Sequence, residues 1–511
     1  MSFRFKVDFL KKNKQYFLLL CMLALVFTFQ SCDKPLEDGG LRIGWATENI
    51  TPQLPISLRG QYYERTAKEI QSPLTVTACA IEMADKNGHK EQTIMVSVDI
   101  TIINQGIQDS VRNRVRSQIP EFDVQNLFLN ATHVHTAPNP DLESEFKSLM
   151  IEKLVKAVIS AWNNRNPAGI SRELGYASVG YNRRIQYSDG TTQMYGSIDR
   201  EDFIGLEGPS DPGVEMLFCW DLNKQMTGII MNVACPAQIM EGQYVISSDY
   251  WGEVRKQMKE KYSRDIYVLG QISAAGDISP RDLIRRKNPD KPNMWDVSGI
   301  VEIGKRLAQT VEIAYPDAIA SIQTKPVFKH MVKQVDLPTR KVSKEENDRA
   351  LSIVNEILSR EPDDANSDLT AWNRFVAEVK KNEKTKKTGP WDNKKSDYGT
   401  LKINQVLLNN YKKQFEFPFY KAEIHAVRLG DVAIVSNPFE LFVDYGFGIK
   451  ARSKAKQTFL VQLSCEFAGY LPTLRATQGG GYSALVSLVG PEGGQLLVDE
   501  SVEMISELFP E

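Results

Sequence analysis

The sequence predicts an α/β fold, a mixed or parallel sheet flanked by helices. Three observations point there. Short apolar runs with strand character alternate with segments of helical periodicity along most of the 511 residues. Turn-forming clusters separate them, as in "KNGHK" at 86–90. A hydrophobic share of 42% supplies the apolar side chains for a large core, which a chain of this length can bury. The formal net charge of −2 gives no electrostatic footprint for nucleic acid.

The elements follow in order. "LRIGWATEN" opens the folded part as a strand, and a loop punctuated by proline follows. "LTVTACAIEMAD" (74–85) and "EQTIMVSVDITII" (91–103) read as strands joined by a hairpin-type turn. Val111, Val115 and Ile119 recur at helical spacing in 108–119. "VQNLFLNATH" reads as a strand and 146–164 as an amphipathic helix. The middle repeats the theme. "VEMLFCWDL" and "MTGIIMNVACPA" are strand-like, "SDYWGEVRKQMKEKY" is helical, "DIYVLGQISAAGD" is a buried strand ending in a Gly turn, and 297–315 is a helix. Residues 342–408 differ in character: a helix, "SKEENDRALSIVNEILSR", precedes the lysine-rich "VKKNEKTKKTGPWDNKKSD". That run reads as a solvated loop, and 342–408 as a helical insertion. "KAEIHAVRLGDVAIVSN" returns to strand, and "LVDESVEMISELF" is a terminal helix.

The N-terminus reads as a targeting segment. Arg4, Lys6, Lys11, Lys12 and Lys14 precede the apolar "YFLLLCMLALVFTF" (16–29), too short to span a bilayer comfortably. "FQSC" then resembles a bacterial lipobox, with Cys32 the expected lipidated residue. Residues 1–31 are thus expected to be a lipoprotein signal peptide, 32–40 a tether, and 41–511 the folded domain. The expected location is the bacterial cell envelope, at the outer membrane, held through the lipid on Cys32. The other cysteines of the mature part, Cys79, Cys219, Cys235 and Cys465, are too scattered for a disulfide framework.

Four stretches can carry chemistry. "NATHVHTAPNP" holds two of only five histidines, His133 and His135. On a strand, alternate residues share a face, so the pair would project together at the sheet rim, where both rings can ligate one metal, or one can ligate while the other moves a proton. "AAGDISPRDL" places Asp277 and Ser279 at a strand end. "VSNPFELF" places Glu440 after a strand and a Pro turn. "FAGYLPTLRATQGGGYSAL" sets Tyr470 and Tyr482 around Gly479, Gly480 and Gly481, which permit close backbone approach or a mobile lid.

In this combination and order the segments resemble the catalytic domain of the neutral (non-lysosomal) ceramidase family. The resemblance runs from "IGWATENIT" to the C-terminal helix and leaves out the family's C-terminal immunoglobulin-like domain. "HVHTAP" is similar to the family's HxHxGP-like motif, which implies His133 as a zinc ligand and His135 as acid and base. "NPFEL" and "GYLPT" imply Glu440 and Tyr470 as further zinc ligands. "GDISPR" implies Ser279 in the substrate pocket, "GYNRR" a substrate-facing Arg183, and the second tyrosine a substrate-facing Tyr482. The family's other zinc histidine has no counterpart in "NVACPAQIMEGQYVISSD" (232–249). Counted back from Asp249, its position falls on Cys235. Either a Cys235 thiolate stands in, which is sound zinc chemistry, or a ligand has been lost; Gln238 and Glu241 are nearby oxygen donors.

The resemblance therefore implies a zinc-dependent hydrolase of the amide bond in a ceramide-like N-acyl lipid. The expected metal site is His133, Cys235, Glu440 and Tyr470. Arg183 and Tyr482 would stabilise an oxyanion, His135 would protonate the leaving amine, and Ser279 would position the substrate. Two alternatives stand beside it: a hydrolase of the same fold acting on an ester or glycan, and a non-catalytic surface binding protein with a degenerate metal site.

Overall fold

The computed structural model describes residues 35–61, 65–84, 88–285, 291–359 and 397–510. The expected leader, Cys32 and the middle of the insertion (360–396) lie outside these residues.

Two sheets face each other, and helices cover both outer faces. The first sheet has eight strands: β1 (Leu41–Asn49), β2 (Thr75–Ala84), β3 (Lys90–Val98), β4 (Leu127–Ala131), β5 (Asn166–Tyr176), β6 (Gly213–Asp221), β7 (Met226–Val233) and β8 (Tyr267–Ile272). Their order is β8-β7-β6-β5-β1-β2-β3-β4. Only β3–β4 and β7–β8 pair in parallel; the remaining neighbours are antiparallel. The second sheet has four strands in the order β9 (Phe328–Pro338), β10 (Phe419–Leu429), β11 (Val432–Ser436) and β12 (Gln457–Val461), the last pair parallel. The sheets are thus mixed.

Strand periodicity explains the layering. On β2, Val76, Ala78 and Ala80 join the core beneath the first helical layer, while Cys79 and Ile81 point into the layer between the sheets. Leu41, Ile43 and Trp45 of β1 meet Val427, Leu429, Ile434 and Phe459 of the second sheet there. The first helical layer comprises α1 (Gln105–Arg116), α2 (Ser144–Asn163), α3 (Asp249–Lys261) and α4 (Val297–Ala320). Its apolar stripes include Ile107, Val111 and Val115 of α1 and Ile303, Leu307 and Val311 of α4. In the region expected as an insertion lie α5 (Lys344–Ser359) and α6 (Asp397–Lys413), which pack together through Ala350 and Leu407. The outer face of the second sheet is covered by α7 (Val443–Arg452) and α8 (Pro491–Leu508), through Tyr445, Ile449, Leu497 and Ile505. No helix among the described residues is long and apolar enough to cross a membrane.

Candidate active site

The C-terminal ends of β4, β7, β8 and β11 release their chains toward one place, where loops from both sheets meet. Strand β4 stops at Ala131, short of the histidines. His133 takes a left-handed φ of 56°. The shared strand face expected for the pair is therefore not what joins them: the turn does. It brings His135 Nε2 within 3.3 Å of His133 Nε2. His133 Nδ1 lies 2.8 Å from the Thr101 carbonyl, which can only accept, so this nitrogen carries the proton and Nε2 is left as a donor atom for a cation. Gly60, at φ +112°, lets the chain lie against the His135 ring; a Cβ there would sit 2.8 Å from its Cγ.

His133 Nε2 faces the Glu440 carboxylate at 3.5 Å. Glu440 is the register partner of Tyr470 in a two-residue parallel ladder. Tyr470 Oη is 3.2 Å from Tyr482 Oη and accepts from Arg183 at 3.4 Å. Arg183 is buried, and its guanidinium also donates to the Gly276 carbonyl at 2.8 Å and the Tyr195 hydroxyl at 3.2 Å. Tyr195 in turn donates to Ser279 Oγ at 3.3 Å and accepts from Gln238 at 2.9 Å. At the other end, His135 Nδ1 lies 3.4 Å from Glu241, whose carboxylate is held by Arg281 at 2.8 Å. His133, His135, Arg183, Ser279, Glu440, Tyr470 and Tyr482 thus form one continuous polar group.

Its electrostatics follow from burial and neighbours. Burial works to raise the Glu440 pKa, but His133, Arg183 and Tyr470 outweigh it and hold the carboxyl below its usual range. Burial, with Glu440 beside it, pushes the Tyr470 phenol well up. Burial opposes the Arg183 charge, and the surrounding tyrosines and Glu440 more than restore it.

Asp277 is the organiser. One oxygen accepts from the Val443 N–H at 2.9 Å and the other from Asn182 Nδ2 at 2.8 Å, and its carbonyl accepts from the Arg183 N–H at 2.8 Å. It therefore fixes the Arg183 segment to the segment after Glu440. Burial raises its pKa to about 6. The preceding Gly276 is required: a Cβ there would meet the Glu440 carbonyl oxygen at 2.3 Å. The Gly-rich loop is seated by close approach. Arg184 donates to the carbonyls of Ala476 and Gly480 and pairs with Glu207 in the interior.

No family model matches the chain. Its fold does match solved structures. One is described as neutral ceramidase from Pseudomonas aeruginosa, at 18% identity over 93% of this chain and 76% of that one, with a TM-score of 0.66. Another, a ceramidase complexed with C2, matches at 17% identity over the same shares with a TM-score of 0.65. The chain has the neutral ceramidase fold.

The donor set suits a metal in part. His133 Nε2, the Glu440 carboxylate and the Tyr470 phenol converge as nitrogen and oxygen donors of the kind zinc accepts. Cys235, the fourth ligand expected in this ceramidase fold, is not brought to them. Its chain turns sharply after β7, its thiol donates to the Val179 carbonyl at 3.2 Å, and its side chain is buried in the apolar core. Burial raises its pKa well above that of a free thiol. From the same segment, Gln238 and Glu241 do reach the group, beside Tyr195 and His135. Among the described residues, three His, Cys, Asp or Glu ligand atoms come within 4.8 Å of one another in one place only, at Glu423, His425 and Cys465. That cluster was not foreseen from the sequence. Nor was Tyr195, which sits after a three-residue strand with φ 53° and carries no motif.

Proposed function

We propose that this chain is a metal-dependent hydrolase that cleaves the amide bond of a ceramide-like N-acyl lipid. The observation that carries the reading is the enclosed group His133, Glu440, Tyr470 and Arg183, at the meeting of the two sheets of a neutral ceramidase fold. His133, Glu440 and Tyr470 would hold the ion. Zinc bound there supplies a Lewis acid and lowers the pKa of a water toward ~7.

The chain's own residues do the rest. His135, with Glu241 beside Nδ1 and its Nε2 turned toward His133, is placed to deliver a proton to the leaving amine nitrogen. Arg183 and the Tyr482 hydroxyl donate to the oxygen that becomes negative as the carbonyl is attacked. Ser279, backed by Tyr195, orients a polar substituent of the substrate. The buried walls exclude bulk water, which strengthens each of these interactions. In the same reading a lipid on Cys32 holds the protein at the bacterial envelope, and palmitate labelling that disappears in Cys32→Ala checks it.

The test is hydrolysis by the full chain, purified in detergent. N-acylsphingosine is presented beside an O-acyl ester and an N-acylated amino sugar, and product is measured by mass spectrometry before and after chelation. The expected result is sphingosine release that chelator abolishes and zinc restores. Release from the ester or sugar alone would move the assignment to those substrates. The position of Cys235 favours a second reading, a binding protein without metal chemistry. A folded protein that retains the lipid uncleaved and ignores chelator would establish it.

A further inference from the structure

Glu423 and His425 lie on β10, two residues apart, and both face the layer between the sheets. Cys465 reaches them from the loop after β12. His425 Nε2 is 3.0 Å from Glu423 Oε1 and 3.4 Å from Cys465 Sγ. With zinc–ligand bonds of about 2.0–2.3 Å, the edges of a tetrahedron measure roughly 3.3–3.8 Å. The His425–Cys465 spacing already has this length, the His425–Glu423 spacing is a little shorter, and all three ligand atoms lie within 4.8 Å of one another.

His425 Nε2 faces the Glu423 carboxylate at 3.0 Å, and a carboxylate only accepts, so without an ion this nitrogen carries a proton. His425 Nδ1 faces His330 Nε2 at 3.0 Å, and His330 Nδ1 faces the Gln92 carbonyl at 3.4 Å. An ion at His425 Nε2 would move its proton to Nδ1, which then donates to His330 Nε2 while His330 carries its own proton at Nδ1 toward Gln92; the outer partner of a metal-ligating histidine is thus in place. Arg112 does not compete for this nitrogen. Its NH2 lies 2.7 Å from Glu423 Oε1, 2.8 Å from the Leu127 carbonyl and 3.2 Å from the Gln125 carbonyl, so its two hydrogens are committed, and it stands 3.5 Å from Nε2. His425 and Cys465 are buried. A cavity of about 260 Å³, walled by Glu423, Cys465, Arg112, Asp109, Glu466 and Gln334 among others, gives the ion a path in and room for a fourth ligand.

We propose that Glu423, His425 and Cys465 form a second metal site, separate from the His133–Glu440 group, that takes a divalent transition ion of the zinc class. A thiolate with an imidazole selects such an ion over magnesium or calcium. Binding releases the Cys465 proton to solvent, and the two anionic ligands balance the charge of the ion. The ion ties β10 to the loop that pairs with β4 through Cys465 N–H and the Leu129 carbonyl, five residues before Tyr470.

Cobalt(II) tests this, because a thiolate ligand gives a charge-transfer band in the near ultraviolet that nitrogen and oxygen ligands do not. The full chain is stripped with chelator and titrated with Co²⁺. The band is expected in wild type, in His133→Ala and in Cys235→Ser, and is expected to vanish in Cys465→Ser. Glu423→Gln, which leaves the thiol intact, is expected to keep the band and weaken Co²⁺ affinity at least tenfold. A folded wild type without the band overturns the proposal. So does a band that survives Cys465→Ser, or one lost in Cys235→Ser.

Discussion

Glu440 and Tyr470 are paired across a two-residue parallel ladder, with the Glu440 N–H donating to the Gly469 carbonyl at 2.9 Å. The backbone, rather than the side chains, therefore sets the carboxylate beside the phenol. The Gln462 side-chain carbonyl accepts the N–H of both Ala275 and Leu441, and locks this ladder to the turn that carries Asp277. Substitution of either side chain should thus leave the geometry of the other in place. Glu440→Gln and Tyr470→Phe are expected to fold, to lose at least about 100-fold in metal affinity at the His133 group, beyond what outer-shell changes cost, and to lose hydrolysis with it. Metal content after dialysis, read beside circular dichroism, checks this.

Cys235→Ala separates a ligand from a core residue. The thiol donates to Val179 and is packed with apolar neighbours, away from His133 and Glu440. The variant is expected to keep its metal and its activity, and to lose about 1–2 kcal/mol of stability from the small cavity and the carbonyl left without its partner. Urea unfolding and metal analysis on the same preparation give both numbers.

How much the sequence could show is visible in these residues. Periodicity located most long elements, because a buried strand face and a helical stripe are written locally; α4 runs on from the expected 297–315 to Ala320, through Pro316. Strand direction and sheet membership are not written locally beyond a short turn, so the hairpin of β2 and β3 was legible while the second sheet and the other antiparallel pairings were not. His133 and His135 were identified as a pair, though a left-handed turn joins them and not a strand. Cys235 was expected among the ligands by counting back from Asp249, and the turn after β7 sends its thiol to the Val179 carbonyl instead: where a side chain points there depends on two residues of backbone that no spacing rule specifies. Tyr195 and the Glu423–His425–Cys465 cluster join positions far apart in the chain, and only the fold brings them together.

Arg184 and Glu207 form an ion pair at 2.6 Å with both side chains out of water. The guanidinium also holds the Gly480 and Ala476 carbonyls and Ser483 Oγ, so it seats the loop that carries Tyr482. Removing one partner leaves the other charged and buried, which costs about 3–5 kcal/mol. Glu207→Ala is therefore expected to lose that much in denaturant unfolding. It should also raise KM more than it lowers metal content, since Tyr482 is displaced and His133 is not.

Asp249 and Asp277 are both buried, and desolvation raises each from 3.8 to about 6 in spite of the backbone N–H groups they accept. The sign follows from linkage. Between pH 4 and 6 the unfolded chain has released these protons and the folded chain still holds them, so raising the pH favours unfolding. The stability each group contributes is complete below pH ~4 and is lost as pH rises through about 6, amounting to about 3 kcal/mol per group. Carbon-13 titration of the two carboxyls should give midpoints near 6, and urea unfolding of the full chain at pH 5, 6 and 7 should show the matching decline. Midpoints near 4 would mean that water reaches Asp277, and with it the junction that fixes Arg183 to the Glu440 segment.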